Sequence, residues 1–190
     1  MDGLARAQLL RIPARTETGR MILRAATADD GPLAFEAALE LVTELSPWMP
    51  WIHPEPTLLR SVDFHATAQF KLATREIFDF RWIDKVDGNL IGKGGLHPVN
   101  WEVPKFEIGF WVRTSMANRG CCTEAVNALV QLSKHQMGAR RIKICSDPRN
   151  TMSGRVAKRC GFTLKGILRQ NMRVPLDKLR DSCVYAPVFK

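Results

Sequence analysis

The chain has 190 residues, 45% apolar and 25% charged, a composition that suits one sizeable folded domain and excludes extended disorder or a collagen-like repeat. No run of about 18 apolar residues occurs, so no helical membrane span and no membrane partner are expected. With 28 basic against 19 acidic residues the formal charge is +9, a field that attracts polyanions such as coenzymes, RNA or ribosomal surfaces without naming one, and no sequence-specific contact to nucleic acid is expected.

Residues 1–20 are basic and lack the long apolar core of a secretion signal. They read as a flexible leader to a single domain over residues 21–190, in a protein expected in the cytoplasm. The cysteines at 121, 122, 145, 160 and 183 are odd in number and have no zinc-ligand spacing, which points to reduced thiols and no metal site. Cys121 and Cys122 read first as small packing residues at a helix start.

Taken in order, MILR from Met21 is a first strand. Thr27 and Asp30 stand at capping-box spacing before Pro32, and Leu33, Ala37, Leu41 and Leu45 recur at helical spacing, predicting a helix to about Leu45. Glu36, Glu40 and Glu44 share another face of it, either solvated or facing a cationic substrate. The segment SPWMPWIHPEP is too rich in proline for a helix, and Trp48 and Trp51 either line a substrate pocket or cap the core. LLRSVDFHATAQFKLATRE returns to a helical pattern.

From Ile77 the pattern becomes that of strands: IFDFRWIDK and LIGKGGLHPV flank an Asp87-Gly88 turn, and KFEIGFWVR follows as a third antiparallel member. A helix over about 118–136, the strand RRIKICS, a short helix through SGRVAKRC and the strands TLKGILRQ and SCVYAPV complete the order. Edge strands near the C-terminus are candidates for pairing in a homodimer. Basic residues gather after the central helix, including Arg149, Arg155, Lys158 and Arg159, and form either a solvated face or a holder of phosphates.

The ordered motifs EIGFWV, NRGCCTEAV, NTMS, GFTLKG and RDSCVYA, with PWMPW after the first helix, resemble the GNAT superfamily of acyl-CoA-dependent N-acetyltransferases, and most of all its RimJ/RimL-like branch. The resemblance implies an α/β (α+β) GNAT acyltransferase fold, a mixed sheet of about seven strands flanked by about four helices and splayed between the fourth and fifth strands. It implies acetyl-CoA (coenzyme A) as co-substrate. Phe110, Trp111 and Val112 match the strand that pairs with pantetheine amides. Asn118, Arg119, Gly120, Cys121, Cys122 and Thr123 match the pyrophosphate loop, where N–H donors converge at a helix start and Gly120 allows close approach. Ser115 and Asn118 depart from the family pattern, and Asn is the side chain that best tolerates the positive φ the turn requires.

The same resemblance assigns Asn150 to the cofactor arm and Ser153 to protonation of the departing thiolate; Ser153 also reads as a helix N-cap. Glu107 matches a strand glutamate that acts as base through water, and otherwise reads as a structural carboxylate. His97, on the preceding strand, is a second candidate at the acceptor side and otherwise a structural histidine. A water-relayed base suits an α-amine, about a tenth neutral at pH 7, over a lysine amine that costs about 3 kcal/mol more to deprotonate. The expected acceptor is therefore a protein N-terminus, that of a ribosomal protein by the resemblance, with direct transfer and no covalent enzyme intermediate. An aminoglycoside or polyamine acceptor, or an acyl-CoA-binding module without turnover, are the alternatives.

Overall fold

The computed structural model describes residues 3–173 and 179–187. In chain order these form α1 (Gly3–Gln8), β1 (Arg15–Glu17), β2 (Met21–Ala25), α2 (Gly31–Glu40), α3 (Val42–Leu45), α4 (Leu58–Ala66), α5 (Ala68–Ala73), β3 (Phe78–Asp84), β4 (Leu90–Asn100), β5 (Lys105–Val112), α6 (Cys121–His135), β6 (Arg141–Ser146), α7 (Thr151–Arg159), β7 (Phe162–Arg173) and β8 (Leu179–Pro187). The strands make one sheet in the order β1-β2-β3-β4-β5-β6-β8-β7. Every pairing is antiparallel except β5 with β6. The sheet is the mixed one expected from the sequence, with β1 added at one edge by Arg15–Glu17, which pairs with β2 inside the stretch read as a leader. No helix among the described residues is long and apolar enough to cross a membrane.

Two cores hold the sheet. On one face Phe78, Phe80 and Trp82 of β3 and Phe106 and Ile108 of β5 pack against Ala125, Val126, Leu129 and Leu132 of α6. On the other, Trp111 and Leu90 meet Ala37, Leu41, Leu45 and Ile52. The alternation of Phe106 and Ile108 with Trp111 follows from the pleat, which sends successive side chains to opposite faces. A second consequence is that Glu107 and Gly109 lie on the Trp111 face.

The β3–β4 turn forms where Asp87-Gly88 predicts it, with Gly88 at φ 74° and the Asp84 and Asp87 carboxylates accepting the N–H groups of Val86 (2.8 Å) and Asn89 (2.9 Å). Helices are more broken than the sequence pattern suggests. The helix expected from Thr27 to Leu45 is a 3-10 turn (Ala28–Asp30) followed by α2 and α3, and the capping-box pair serves that turn: Asp30 accepts the Thr27 N–H at 2.8 Å. The next helical stretch divides into α4 and α5 at Thr67, whose hydroxyl donates back to the Phe64 carbonyl at 3.2 Å and competes with helix bonding. The central helix starts at Cys121 because Asn118 and Gly120 take φ values of 60° and 80°.

Buried charge is paired. Asp30 is 2% exposed and receives two bonds from Arg24, at 2.6 and 2.8 Å. Burial opposes its ionisation, but the Arg24 and Thr27 hydrogen bonds outweigh that and lower its pKa. A depressed carboxylate contributes stability that is complete above its unfolded pKa of about 3.9 and is lost as pH falls through the folded value. Arg24→Ala leaves buried Asp30 without its hydrogen-bonded cation, with only the more distant charge of Arg81 remaining; urea unfolding at pH 7 should show a loss of about 1–3 kcal/mol.

Candidate active site

The site is set by where β5 and β6 part. They pair only at Lys105↔Arg141, Phe106↔Ile142 and Glu107↔Lys143, after which β6 turns to β8, pairing Ile144 with Tyr185 and Ser146 with Cys183. The other edge of β5 stays paired with β4 as far as Gly92↔Val112. From Ile108 to Val112 the β6-facing edge of β5 thus presents N–H and C=O groups to an open notch. Phe110, Trp111 and Val112 lie along it. The Trp111 side chain itself is buried in the second core, so it offers the notch its backbone alone.

At the far end of this edge comes the turn before α6. The first intrahelical bond there runs from the Glu124 N–H to the Gly120 carbonyl at 3.1 Å, so the N–H groups of Cys121, Cys122 and Thr123 have no acceptor within the helix. A Cβ on Gly120 would meet only Arg20, at 3.5 Å, and the left-handed backbone there favours glycine. Asn118 adopts the positive φ expected of it. Cys121 is buried, and burial pushes the Cys122 thiol up to about 12, so both are packing residues.

Two anchors steady this turn, and neither was legible from the sequence. Arg20 donates from Nη1 to the Arg119 carbonyl (2.8 Å) and from Nε to Glu124 (2.7 Å). From α2, Glu40 accepts from Ser115 N–H (3.0 Å), Ser115 hydroxyl (3.1 Å) and Arg113 Nε (2.6 Å), while Glu36 accepts from Arg113 Nη2 (2.9 Å). Glu40 of the acidic stripe therefore holds the loop, while Glu36, joined to Arg113, and Glu44 remain exposed to solvent. Ser115, the departure from the family pattern, is half of this clamp. The i, i+4 spacing of Glu36 and Glu40 was visible, but its partner lies more than seventy residues away in sequence.

At the point of parting, Glu107 forms an ion pair with Lys143 at 2.8 Å. Burial opposes the Lys143 charge, yet the Glu107 hydrogen bond outweighs it and raises the Lys143 pKa. Cys145 lies in hydrogen-bond reach of both, its thiol pushed up to about 11 by burial and the Glu107 charge. His97 sits over β5: a Cβ on Gly109 would lie 2.9 Å from its Cε1 and 3.0 Å from its Nε2, so position 109 is glycine because the ring takes that space. His97 is exposed to solvent on its outer side, but the protein behind the ring and then the charge of Lys93 lower its pKa, against the smaller opposing pull of Asp79 and Glu107. Lys93 in turn bonds Asp79 (2.9 Å), which also pairs with Arg81 (3.2 Å). Burial opposes ionisation of Asp79, but these two cations hold it well below the usual carboxylate range.

Beyond β6, the N-cap of α7 is Asn150, whose side-chain oxygen accepts the Ser153 N–H at 3.0 Å. Ser153 is therefore in the first turn rather than at the cap, which leaves its half-buried hydroxyl without a capping duty. The hydroxyl of Tyr185 overlies the next residue, 2.9 Å from where a Cβ on Gly154 would be. Tyr185 is the single tyrosine of the chain, and that alone could have marked it. Of the two loop tryptophans, Trp48 is drawn to this end, with the Arg149 guanidinium 5.8 Å from its ring centroid, while Trp51 stands 43% exposed. Arg149 is fixed by a two-bond contact with buried Asp147, at 2.9 and 2.7 Å. Two hollows, of about 350 and 560 Å³, lie around Trp101 and α1 instead and include none of these residues.

Residues 20–163 match the family model described as Acetyltransferase (GNAT) domain. The chain is 31% identical over 104 residues to a putative ribosomal N-acetyltransferase, YdaF, of Bacillus subtilis (strain 168); the match spans 55% of this chain and 56% of that protein, so less than two thirds of the relative is covered. Among solved structures, RimL, a ribosomal L7/L12 alpha-N-protein acetyltransferase in complex with coenzyme A, superposes with a TM-score of 0.84 at 20% identity over 94% of this chain and 97% of that one. The microcin C7 self-immunity acetyltransferase MccE, in complex with acetyl-CoA and AMP, gives 0.83 at 20% identity over 90% and 93%. These structural likenesses concern the fold, and together with the match over residues 20–163 they have one reading: the chain belongs to the GNAT acetyltransferase family.

Proposed function

We propose that the chain is an acetyl-CoA-dependent N-acetyltransferase that passes an acetyl group directly to a primary amine, the N-terminal amine of a ribosomal protein being the preferred acceptor. The observation that carries this reading is the continuity of the open β5 edge with the free N–H groups at the start of α6. One fits a chain of amides and the other a diphosphate, in the order in which coenzyme A presents them. Complexes of RimL with coenzyme A and of MccE with acetyl-CoA support the choice of co-substrate, and the description of YdaF supports the acceptor class. When bound, the coenzyme would supply the thioester-linked acetyl group.

The chain's own residues divide the remaining work. Phe110, Trp111 and Val112 would pair with the pantetheine arm, and Asn118 to Thr123 would hold the diphosphate. His97 and Glu107 flank the parting of β5 and β6 on the acceptor face. A neutral imidazole Nε2 can take the proton of an incoming ammonium directly, whereas Glu107, held by Lys143, would accept it through water. The Ser153 hydroxyl would give a proton to the departing sulfur, and Trp48 would form one wall of the acceptor cleft. No strong base of shifted pKa is required for an α-amine, which is already partly neutral at pH 7.

Thiol release from acetyl-CoA, followed against a panel of peptides with free N-termini, N-terminally blocked lysine peptides and polyamines, tests the assignment. Free N-termini should react fastest. Faster turnover of polyamines would favour a small-amine acceptor instead, and tight coenzyme A binding without thiol release would favour the non-catalytic reading. Ser153→Ala should lower kcat by about 10²-fold or more with coenzyme A affinity nearly unchanged. In the NMR titration of His97, Lys93→Met removes a neighbouring positive charge and should raise the ring pKa; an unmoved value would place Lys93 outside its field.

A further inference from the structure

The chain's charge is concentrated in one place. Between residues 148 and 173 there are seven cations, Arg149, Arg155, Lys158, Arg159, Lys165, Arg169 and Arg173, and no Asp or Glu, in a chain whose whole formal charge is +9. The stretch is α7 followed directly by β7. All seven residues are exposed. Among the described residues no carboxylate lies in ion-pair distance of Arg155, Lys158, Arg159, Lys165 or Arg169.

Local structure does not account for this. Arg155 stands three residues before Lys158 and four before Arg159, the spacings at which like charges on a helix repel. Lys158 and Arg159 gain from the carbonyl end of α7, but Arg155 is too early in the helix, and Lys165 and Arg169 are on a strand. Among the described residues, the outward face of α7 thus keeps an unfavourable arrangement with no carboxylate partner. A ligand that brings many negative charges at regular spacing would relieve it.

We infer that the α7–β7 face is a docking surface for the phosphate backbone of RNA, read without base specificity. The choice among polyanions rests on the ribosomal-acceptor reading, since such an acceptor sits on RNA. The surface itself fits that choice. Carboxylates reach it only from outside the stretch, Asp147 at Arg149 and Asp181 at the Gln170 N–H. Five of its cations keep no ion-pair partner among the described residues, which suits a uniform phosphate chain better than the mixed charge of a protein surface. β7, which follows α7 in the chain, is the sheet's outer strand and is exposed from Thr163 to Arg173. The surface also borders the cofactor loop: the Cys160 thiol just after α7 donates to the Thr123 carbonyl of α6 at 3.6 Å. Coenzyme A is accordingly the rival to exclude, and anionic lipid is another, because Leu164, Ile167, Leu168 and Met172 on β7 are exposed as well.

Fluorescence anisotropy of a labelled single-stranded RNA of mixed sequence, titrated with the full chain across a salt series, tests the inference. Binding should weaken with salt, and the combined variant Arg155→Gln, Lys158→Gln, Arg159→Gln should lose at least about tenfold in affinity and flatten the log–log salt slope by about 2, three contacts at about 0.7 each. Lys105→Gln, Arg140→Gln, Arg141→Gln removes the same charge elsewhere and should retain most of the binding. Equal loss in both variants, displacement of RNA by saturating coenzyme A, or binding to phosphatidylserine vesicles but not to RNA would each overturn the inference. Thiol release with a free peptide should be unchanged in the α7 variant. If wild type releases no thiol with any acceptor yet binds RNA as described, the enzymatic reading fails and this one stands; thiol release without RNA binding reverses that outcome.

Discussion

Three residue pairs decide the shape of this molecule. β5 and β6 run together from Lys105 to Glu107 and then separate; beyond that point each keeps only its outer neighbour, β5 with β4 and β6 with β8. Backbone groups in a sheet are normally paired on both sides, and leaving five residues of an interior strand open on one edge has a cost that only a ligand or solvent can offset. The fold tolerates it because both faces of β5 are secured by side chains: Phe106 and Ile108 under α6, Trp111 among Leu41, Leu45 and Ile52. The notch is thus a property of strand order rather than of any one side chain.

The elements around the notch are held by polar contacts between distant parts of the chain. Arg20 ties the start of β2 to the α6 turn, and Glu40 ties α2 to Ser115. These anchors hold fixed a turn with two left-handed residues, Asn118 and Gly120, whose free N–H groups would otherwise be poorly oriented for an anion. Glu107 and His97 are likewise defined by their neighbours. Glu107 is ion-paired with Lys143, while the protein behind the ring and then the charge of Lys93 lower the pKa of His97, so a paired carboxylate and an imidazole biased toward its neutral form lie near one another.

The succession of elements, the antiparallel run from β3 to β5 and the turn before α6 were legible in the amino-acid pattern because their signals are local, whereas the placing of β8 between β6 and β7 was not. Asp87-Gly88 announces a hairpin, and EIGFWV followed by Asn118, Gly120 and an apolar helix announces a strand and a left-handed turn that starts a helix. The clamp on that turn was not legible. Glu36 and Glu40 look like any solvated helical face until Arg113 is brought to them, and nothing in RIKICS marks Lys143 as the partner of Glu107. Ser153 looked like a cap because serine commonly is one; Asn150 three residues earlier competes for the role and holds it. The helix breaks at Leu41 and Thr67 were hidden for a related reason, since apolar periodicity continues across them.

The central claim is that the open edge of β5 and the α6 turn bind one ligand together. Two-dimensional NMR of the ¹⁵N-labelled chain titrated with coenzyme A measures this directly at each amide. The account predicts coupled, saturating shifts for Ile108 to Val112 and for Asn118 to Thr123, with a single dissociation constant. Shifts confined to one of these segments, or centred on the hollows around Trp101, would contradict it.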